Sequence, residues 1–499
     1  MAEVATKPVL RLGLIANLFE TLHENDIRYC HWKSNEHLGA SMVGETDLDV
    51  LFDQAQKGKV EEILHSLGFK RFNAIRQKQY NGIFDFIGLD TASGKIVHLH
   101  SHFLLTIGEP YLKGYHFRIE ERALESRVFN EEYGLYCIDP CLELILLFVR
   151  ESLKLRHRDR FRFTFKSKIQ SRQYMLREYA WLTSRISTDE LRTRLATIFK
   201  NYAEIFEVII GGFNSRQLHK LERLIRKENN VIRLYSPAKA LLSRWSREAT
   251  IIVSRKLAAI FDEPILLKRN NPRGGLVIAV IGVDGSGKST VTENLKQTFG
   301  EKLDVYKIYF GRGDGKISMA RKLLASLKRA RKSPADGLME ETGLKKASFM
   351  RSLYKSLEAF LVEEDKRSGM KPMRKARDKG ALVICDRYPQ NQIMGSNDGP
   401  LLSNFRKSGN LWFRKVAERE ARIYAQAEWQ PPDIIFKLIT HPEVSQRRKP
   451  GENSMEKLKA KIRGLNELEF KRCKVIPIDA TRPLNEVLCD IKKEIWSML

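Results

Sequence analysis

The sequence predicts an α/β chain of more than one domain. An α/β domain with alternating strands and helices is expected over residues 275–499, after a smaller domain over 1–125 and a helical, basic region over 126–270. Three observations carry this. The run Leu276-Val-Ile-Ala-Val-Ile281 is apolar and β-branched, as a strand buried on both faces requires, and it leads directly into Gly282-Val-Asp-Gly-Ser-Gly-Lys-Ser-Thr290. Further buried runs recur downstream between helical stretches, the rhythm of parallel strands joined by helices. At 499 residues the chain also exceeds the length of one ordinary domain.

Charge is the most unusual feature of the composition. Lysine and arginine number 87 against 61 acidic residues, a formal net charge of +26. Such an excess implies anionic partners: a nucleotide substrate, nucleic acid or another anionic polymer, or a negatively charged membrane surface. A basic exterior with no such partner is the plainer alternative. The cysteines at 30, 137, 141, 385, 473 and 489 are too scattered for a disulfide framework or a zinc knuckle, so reduced thiols are expected. The first residues, Met-Ala-Glu-Val-Ala-Thr-Lys-Pro, contain no signal-peptide core. No apolar run approaches the ~20 residues of a membrane helix. A cytoplasmic location is therefore expected, with peripheral membrane contact left open. The oligomeric state is open too, a homodimer included.

Within 1–125, Leu10 to Glu24 has helical apolar spacing, and Gly44-Glu-Thr-Asp-Leu-Asp-Val-Leu-Phe52 reads as a strand. Asp47 and Asp49 stand two residues apart, so strand alternation turns both carboxylates to one face. Such a pair can hold a divalent metal against a triphosphate. It is also a common pattern of solvent-facing strands. Lys95-Ile-Val-His-Leu-His-Ser-His-Phe103 reads as another strand with His98, His100 and His102 on one face, either metal ligands or hydrogen-bonded strand histidines. The order of parts (helix, strand ending near Lys33-Ser34, spacer, Asp-Leu-Asp-Val) resembles the nucleotidyltransferase fold, most of all its minimal branches. The resemblance implies a third carboxylate on a later strand. His98 stands at that place, and Asp85, in Phe84-Asp-Phe86, is the candidate substitute.

From Asp139-Pro-Cys-Leu-Glu-Leu the pattern turns helical, with Asp139 as N-cap and Pro140 at the first helical position. Further helices are expected over 171–187, 189–213, 214–228 and 236–261. In Lys154-Leu-Arg-His-Arg-Asp-Arg-Phe-Arg-Phe-Thr-Phe-Lys166 cations alternate with aromatics. That stretch suits phosphates and stacked bases or an anionic membrane surface, and equally a basic connector whose rings pack inward. Lys268-Arg-Asn-Asn-Pro-Arg-Gly-Gly275 is rich in turn formers and places a domain boundary before the next strand.

The segment Gly282–Thr290 is G-x-x-x-x-G-K-[ST]. Glycines let successive N–H groups approach phosphate oxygens, and the following helix turns its positive end to the same oxygens. Gly282, Asp284, Gly285, Ser286, Gly287, Lys288, Ser289 and Thr290 are thus the expected ATP-binding set, with Lys288 at the β- and γ-phosphates and Ser289 on Mg²⁺. Strands are expected at 303–310, 380–389, 432–439 and 475–480, with a closing helix. Asp386, at the end of the second of these, can complete the Mg²⁺ shell, and Arg387 can clamp an acceptor phosphate.

Four blocks in order, Gly282–Thr290, Asp386-Arg387-Tyr388, Pro432-Asp433 through Pro442-Glu443 to Arg447, and Ile478-Asp479-Ala480, resemble thymidylate kinase and related nucleoside-monophosphate kinases. The resemblance implies a doubly wound parallel sheet, ATP and Mg²⁺, an acceptor near Asp386-Arg387, and a mobile basic lid in which Arg447 and Arg448 stabilise the transferring phosphoryl group. An exposed charged helix is the plainer reading of those arginines. Two departures stand out. Phe310-Gly-Arg-Gly-Asp-Gly315 replaces the family's Arg-Glu-Pro-Gly, and Pro389-Gln-Asn-Gln-Ile-Met-Gly-Ser-Asn-Asp-Gly-Pro400 replaces its base-reading residues, so the acceptor need not be dTMP. This variant looks like kinase-like proteins found beside surface-polysaccharide genes.

Three functions are compatible with these residues. One is an ATP-dependent phosphotransferase acting on a nucleoside monophosphate or related phosphorylated acceptor. Another is an ATP-gated binder of nucleic acid or anionic polymer. The third is a bifunctional kinase and nucleotidyltransferase using Asp47 and Asp49.

Overall fold

The computed structural model describes residues 11–155, 169–261, 264–311, 341–394 and 397–499. Most of the basic-aromatic stretch 154–166, and the glycine-rich turn beyond Gly311, lie outside them. The chain divides into two compact units, Met1–Phe261 with Leu267–Arg269, and Asp262–Leu266 with Asn270–Leu499.

The first unit is built on a mixed sheet. In chain order its strands are β1 (Tyr29–His31), β2 (Leu48–Phe52), β3 (Lys70–Ala74), β4 (Ile83–Asp90) and β5 (Lys95–His102). A second, three-stranded sheet combines β6 (Thr106–Ile107), β7 (Tyr115–Phe117) and β10 (Val231–Arg233). Residues 126–137, expected to open the helical region, instead form β8 (Val128–Asn130) and β9 (Leu135–Cys137). β9 pairs with β1, so these strands extend the first sheet in the order β3-β4-β5-β2-β1-β9-β8. Arg269, the last residue of this unit, opens the short β11 (Arg269–Asn270), at which the chain passes to the second unit.

Register fixes the chemistry of this sheet. In the parallel pair β2/β5, Asp49 lies opposite His100, and in the antiparallel pair β4/β5, Asp85 lies opposite the same His100. With a period of two, His98 and His102 share that face. Beneath it the helix Gly13–Glu24 buries Ile15, Leu18, Phe19 and Leu22, the i, i+3, i+4, i+7 spacing read from sequence.

The helix Pro140–Lys154 starts where the Asp-Pro signal places it, with Asp139 Oδ1 accepting from Leu142 N at 3.0 Å. The single helix expected over 189–213 is broken. Thr188–Ile198 and Tyr202–Ile210 are separate helices, and Phe199 between them is extended (φ −117°, ψ 141°). The break is made by tertiary partners. The Phe199 ring stacks on Phe117 at 5.8 Å, and the Glu228 carboxylate accepts from Lys200 N (2.9 Å) and Asn201 N (3.1 Å), replacing the helical acceptors those groups lose.

The second unit is a five-stranded, all-parallel sheet. Its strands β12 (Leu276–Gly282), β13 (Val305–Tyr309), β14 (Leu382–Asp386), β15 (Ile434–Ile439) and β16 (Lys474–Asp479) lie in the order β13-β14-β12-β15-β16. After β12 the chain runs to β13 and β14 on one side and then to β15 and β16 on the other. The C-terminal end of β12 is thus the switch point at which open α/β sheets bind ligands. Val280 and Asp386 are in register at that end. Helices Lys288–Gly300, Glu341–Asp378, Leu411–Trp429 and Leu484–Met498 connect or follow the strands. Among the described residues no helix is long and apolar enough to cross a membrane, and no disulfide joins the cysteines.

Candidate functional site

The loop after β12 is shaped for close approach by an anion. Gly285 and Gly287 have φ of +84° and +93°, the left-handed region that a side chain strains. A Cβ on Gly285 would lie 2.5 Å from the Ser445 carbonyl oxygen, so the helix Pro442–Arg448 is packed on this turn. Gly287 is the N-cap of the helix Lys288–Gly300, whose first N–H groups face the loop. The Lys288 ammonium is buried and donates to the Val283 carbonyl at 2.6 Å. Burial, with the Arg387 charge adding to it, pushes its pKa down to about 8.

Asp386 ends β14 beside this loop. Its Oδ2 accepts from Ser289 Oγ at 3.1 Å and from Thr292 Oγ1 at 3.4 Å. Its Oδ1 is buried and has no hydrogen-bond partner among the described residues. A buried carboxylate oxygen left unpaired is a costly arrangement that a cation relieves. The residues here fit Mg²⁺ on that ground and on donor chemistry, since Ser289 and Asp386 offer oxygen only. Ser286 Oγ, in the same loop, is also buried and unpaired, whereas Thr290 is exposed.

Arg387 is held in an unusual way. It is a non-glycine residue at φ +71°, and its guanidinium bridges Asp284 Oδ1 (Nη2, 2.9 Å) and Asp398 Oδ2 (Nη1, 3.3 Å). Strained backbone of this kind persists where its surroundings over-determine it. Asp284 is bound in turn by Lys461 Nζ at 2.7 Å and by Asn453 Nδ2 at 3.3 Å. Burial alone would raise the Asp284 pKa, but the bonds from Lys461 and Arg387 prevail and hold it well below the ordinary carboxylate range. The loop, the end of β14 and the helix Met455–Glu467 are thereby tied through one carboxylate.

Of the arginines expected in the lid, Arg448 donates to the Ala480 carbonyl at 3.0 Å, and Arg447 is exposed on the same short helix. Asp433 and Tyr388 belong to the frame. Asp433 Oδ2 accepts from Val277 N at 2.7 Å and Oδ1 from Arg377 at 2.9 Å, while the buried Tyr388 donates to the Gln430 carbonyl at 2.6 Å. Asp398, Asn453 and Lys461 are the residues that sequence reasoning missed. The turn Asn397-Asp-Gly-Pro400 was a signal for the first of them, and nothing marked the other two.

The first unit carries a separate polar cluster on the β2/β5/β4 face. Asp47 and Asp49 do not act as a pair. Asp47 Oδ1 meets His98 Nδ1 at 2.9 Å, whereas Asp49 Oδ1 meets Lys33 Nζ at 2.8 Å, His100 Nδ1 at 3.1 Å and His102 Nε2 at 3.5 Å. The buried His98 spans two carboxylates, since its Nε2 lies 2.8 Å from Asp85 Oδ1, which also meets Arg269 Nε at 2.8 Å. Burial opposes charge on His98, yet Asp47 and Asp85 raise its pKa. For His100 and His102 burial wins, and both are held below the ordinary imidazole value.

Comparison with known proteins adds one coarse conclusion. No family model matches the chain. Two Escherichia coli K12 proteins, YghS and YghR, each named an uncharacterized ATP-binding protein, are 28% and 27% identical to it over 217 and 222 residues. Those spans are 42% and 44% of this chain and 89% and 86% of theirs. A protein of Archaeoglobus fulgidus named probable thymidylate kinase is 27% identical over 231 residues, 45% of this chain and 96% of its own. With the loop geometry, these likenesses identify an ATP-binding, kinase-like P-loop region.

Proposed function

We propose that the phosphate-loop unit is an ATP-dependent phosphotransferase of the thymidylate-kinase-like class, moving the γ-phosphate of ATP to a nucleoside monophosphate or a related phosphorylated acceptor. The observation that carries the proposal is the meeting, at the end of β14, of an unpaired buried carboxylate oxygen on Asp386 and the guanidinium of Arg387, both beside the phosphate loop. An ATP binder that only switches needs the first of these; a transferase also needs a cation for the acceptor.

In this reading the loop N–H groups from Asp284 to Ser289 hold the β-phosphate, and Lys288 leaves Val283 to bridge the β- and γ-phosphates. Ser289 and Asp386 would hold Mg²⁺, which would supply charge neutralisation. Arg387 exchanges its carboxylates for the acceptor's phosphate, and Arg447 and Arg448 neutralise charge on the moving group. An acceptor phosphate oxygen attacks the γ-phosphorus in line. The bond from that phosphorus to the β-bridging oxygen breaks, and ADP leaves. Positioning and charge are the whole of the catalysis.

The test is ATP consumption with Mg²⁺ against nucleoside monophosphates including dTMP, sugar phosphates and a no-acceptor control. One acceptor should be phosphorylated, and Lys288→Ala should keep the fold and abolish turnover. ATP bound tightly with transfer to none of these acceptors, or full activity in the Lys288→Ala protein, would refute the proposal.

A further inference from the structure

A site described on residues of the first unit does not fit the ion its likeness to nucleotidyltransferases implies. A Mg²⁺ pair needs two free carboxylates on one face, but His98 holds Asp47 at 2.9 Å and Asp85 at 2.8 Å, each through a different ring nitrogen. That imidazole occupies the place where two of the three oxygen donors would meet an ion. What remains is a different donor set. Asp49 Oδ1, a ring nitrogen of His100 and a ring nitrogen of His102 lie within 4.8 Å of one another.

We propose that Asp49, His100 and His102 form a mononuclear site for a borderline divalent transition metal of the Zn²⁺ and Co²⁺ kind, with positions left open for an exogenous ligand. Two imidazoles and one carboxylate suit such ions and disfavour Mg²⁺ and Ca²⁺, which take oxygen shells. The strand register places the ligands. Asp49 on β2 lies opposite His100 on β5, and His102 is the next residue of β5 on that face.

A second observation points the same way. His102 is 1% exposed, and neither of its ring nitrogens has a hydrogen-bond partner of good geometry among the described residues. Its Nε2 is directed at Asp49 Oδ1 but stops at 3.5 Å. A buried imidazole left in this state is destabilising unless something binds it. Adjustments on the order of 1 Å bring the three donors to metal distance, ~2.0–2.2 Å. Asp85 Oδ1, 3.8 Å from His100 Nε2, is placed to steady that ring from behind. The side chains of Asp49 and His100 keep 13% and 19% of their exposure, which leaves the ion a way in.

In the metal-free protein the Lys33 ammonium balances Asp49 at 2.8 Å. An arriving ion displaces it, and Lys33 is then free to meet an anionic ligand on the metal. This makes Lys33 a competitor of the metal, and it gives the site a signature that a merely structural cluster lacks.

The experiment uses the full chain, free of any histidine tag and stripped of metal, titrated with Co²⁺ and followed by visible absorption, with Zn²⁺ competition and metal analysis after dialysis. One equivalent should bind and give ligand-field bands that Zn²⁺ removes. Asp49→Asn, His100→Ala and His102→Ala should each weaken binding at least tenfold, and His98→Ala should retain one equivalent. Lys33→Met, which removes no ligand, should bind more tightly than wild type. This variant keeps the idea open to refutation if a histidine variant fails to fold. The bands should persist in Asp386→Asn, which removes a carboxylate oxygen of the phosphate-loop site and so separates the two. Absence of stoichiometric binding at micromolar Co²⁺, binding undiminished in a His100→Ala, His102→Ala double variant, or weaker binding in Lys33→Met would overturn the proposal.

Discussion

Lys288→Met should stabilise the ligand-free phosphate-loop unit, and by an amount that depends on pH. The wild-type ammonium is 5% exposed, and burial with the neighbouring Arg387 charge lowers its pKa from 10.5 to about 8. That difference corresponds to roughly 3 kcal/mol of penalty for folding with the charged form. Below about pH 8 both folded and unfolded chains hold the proton, so the penalty is complete. Between about 8 and 10.5 the unfolded chain holds a proton that the folded chain has released, and wild-type stability rises with pH. Methionine fills the space without the charge. It also removes one of two donors to the Val283 carbonyl, which keeps the bond from Ser286 N at 3.1 Å, and that loss offsets about 1 kcal/mol. At pH 7 the variant should therefore be more stable by about 1–3 kcal/mol, and that advantage should shrink by about 2 kcal/mol between pH 8 and about pH 9.5. The assay is urea unfolding without nucleotide, following the transition that ATP raises in the wild type. Other titrating groups are common to both proteins and cancel in the difference. An advantage that stays constant with pH, or a destabilised variant at pH 7, would refute the account of a buried, uncompensated lysine.

Three other outcomes follow from the same geometry. Asp433→Ala removes the acceptor of Val277 N and the partner of Arg377, and should lower stability in urea by about 2 kcal/mol while leaving the KM for ATP near wild type. Gly285→Ala puts a methyl 2.5 Å from the Ser445 carbonyl at φ +84°, so it should lose ATP binding by calorimetry and destabilise the unit by about 1–3 kcal/mol. In the first unit, burial raises the Glu143 pKa to about 7 despite its bonds to Asn35. The stability this gives is complete below about pH 4.5 and is lost as pH rises through about 7, a fall of up to roughly 3 kcal/mol that Glu143→Gln should flatten in thermal unfolding at about pH 5 and pH 8.

The readable parts of this chain were those in which chemistry and spacing are local. The phosphate loop is contiguous, and Asp386 could be placed because a buried strand ends at it. The partners that define the state of Arg387 were not readable. Asp284 lies 103 residues before it and Lys461 lies 177 residues after Asp284, so no local pattern links them. The break at Phe199 was hidden for a related reason. The apolar spacing runs on across 189–213, and a carboxylate at Glu228 decides where the helix stops. β8 and β9 are three residues each, too short for an alternating pattern to stand out, and in β8 both Val128 and Phe129 are exposed. Sequence order showed that His98 stands where a carboxylate was expected. It took the register of β4, β5 and β2 to show that its ring would lie between Asp47 and Asp85.

Both polar centres balance part of their charge internally, and the part left unbalanced indicates where a ligand belongs. Asp284 has Arg387 and Lys461, and Asp49 has Lys33. These pairs satisfy the carboxylates but also commit the cations, so a ligand must offer each cation a better anion before it gains anything there. Asp386 Oδ1 and the ring of His102 are in the opposite position: both are buried, the first has no hydrogen-bond partner among the described residues, and the second approaches Asp49 no closer than 3.5 Å. Each such group is destabilising by about 1–3 kcal/mol, and that cost is removed when a cation arrives. On the proposed readings, metal entry at Asp386 would begin with a favourable term, metal entry at Asp49 would also have to displace Lys33, and phosphate entry would begin with an exchange. In the proposed function this would order the effects at the phosphate loop: an ion on Asp386 would draw in the phosphates, and the phosphates would release Lys288 from Val283 and Arg387 from Asp284 and Asp398. In that reading Arg387, held at φ +71° between Asp284 and Asp398, would be the residue that exchanges a carboxylate for the acceptor's phosphate.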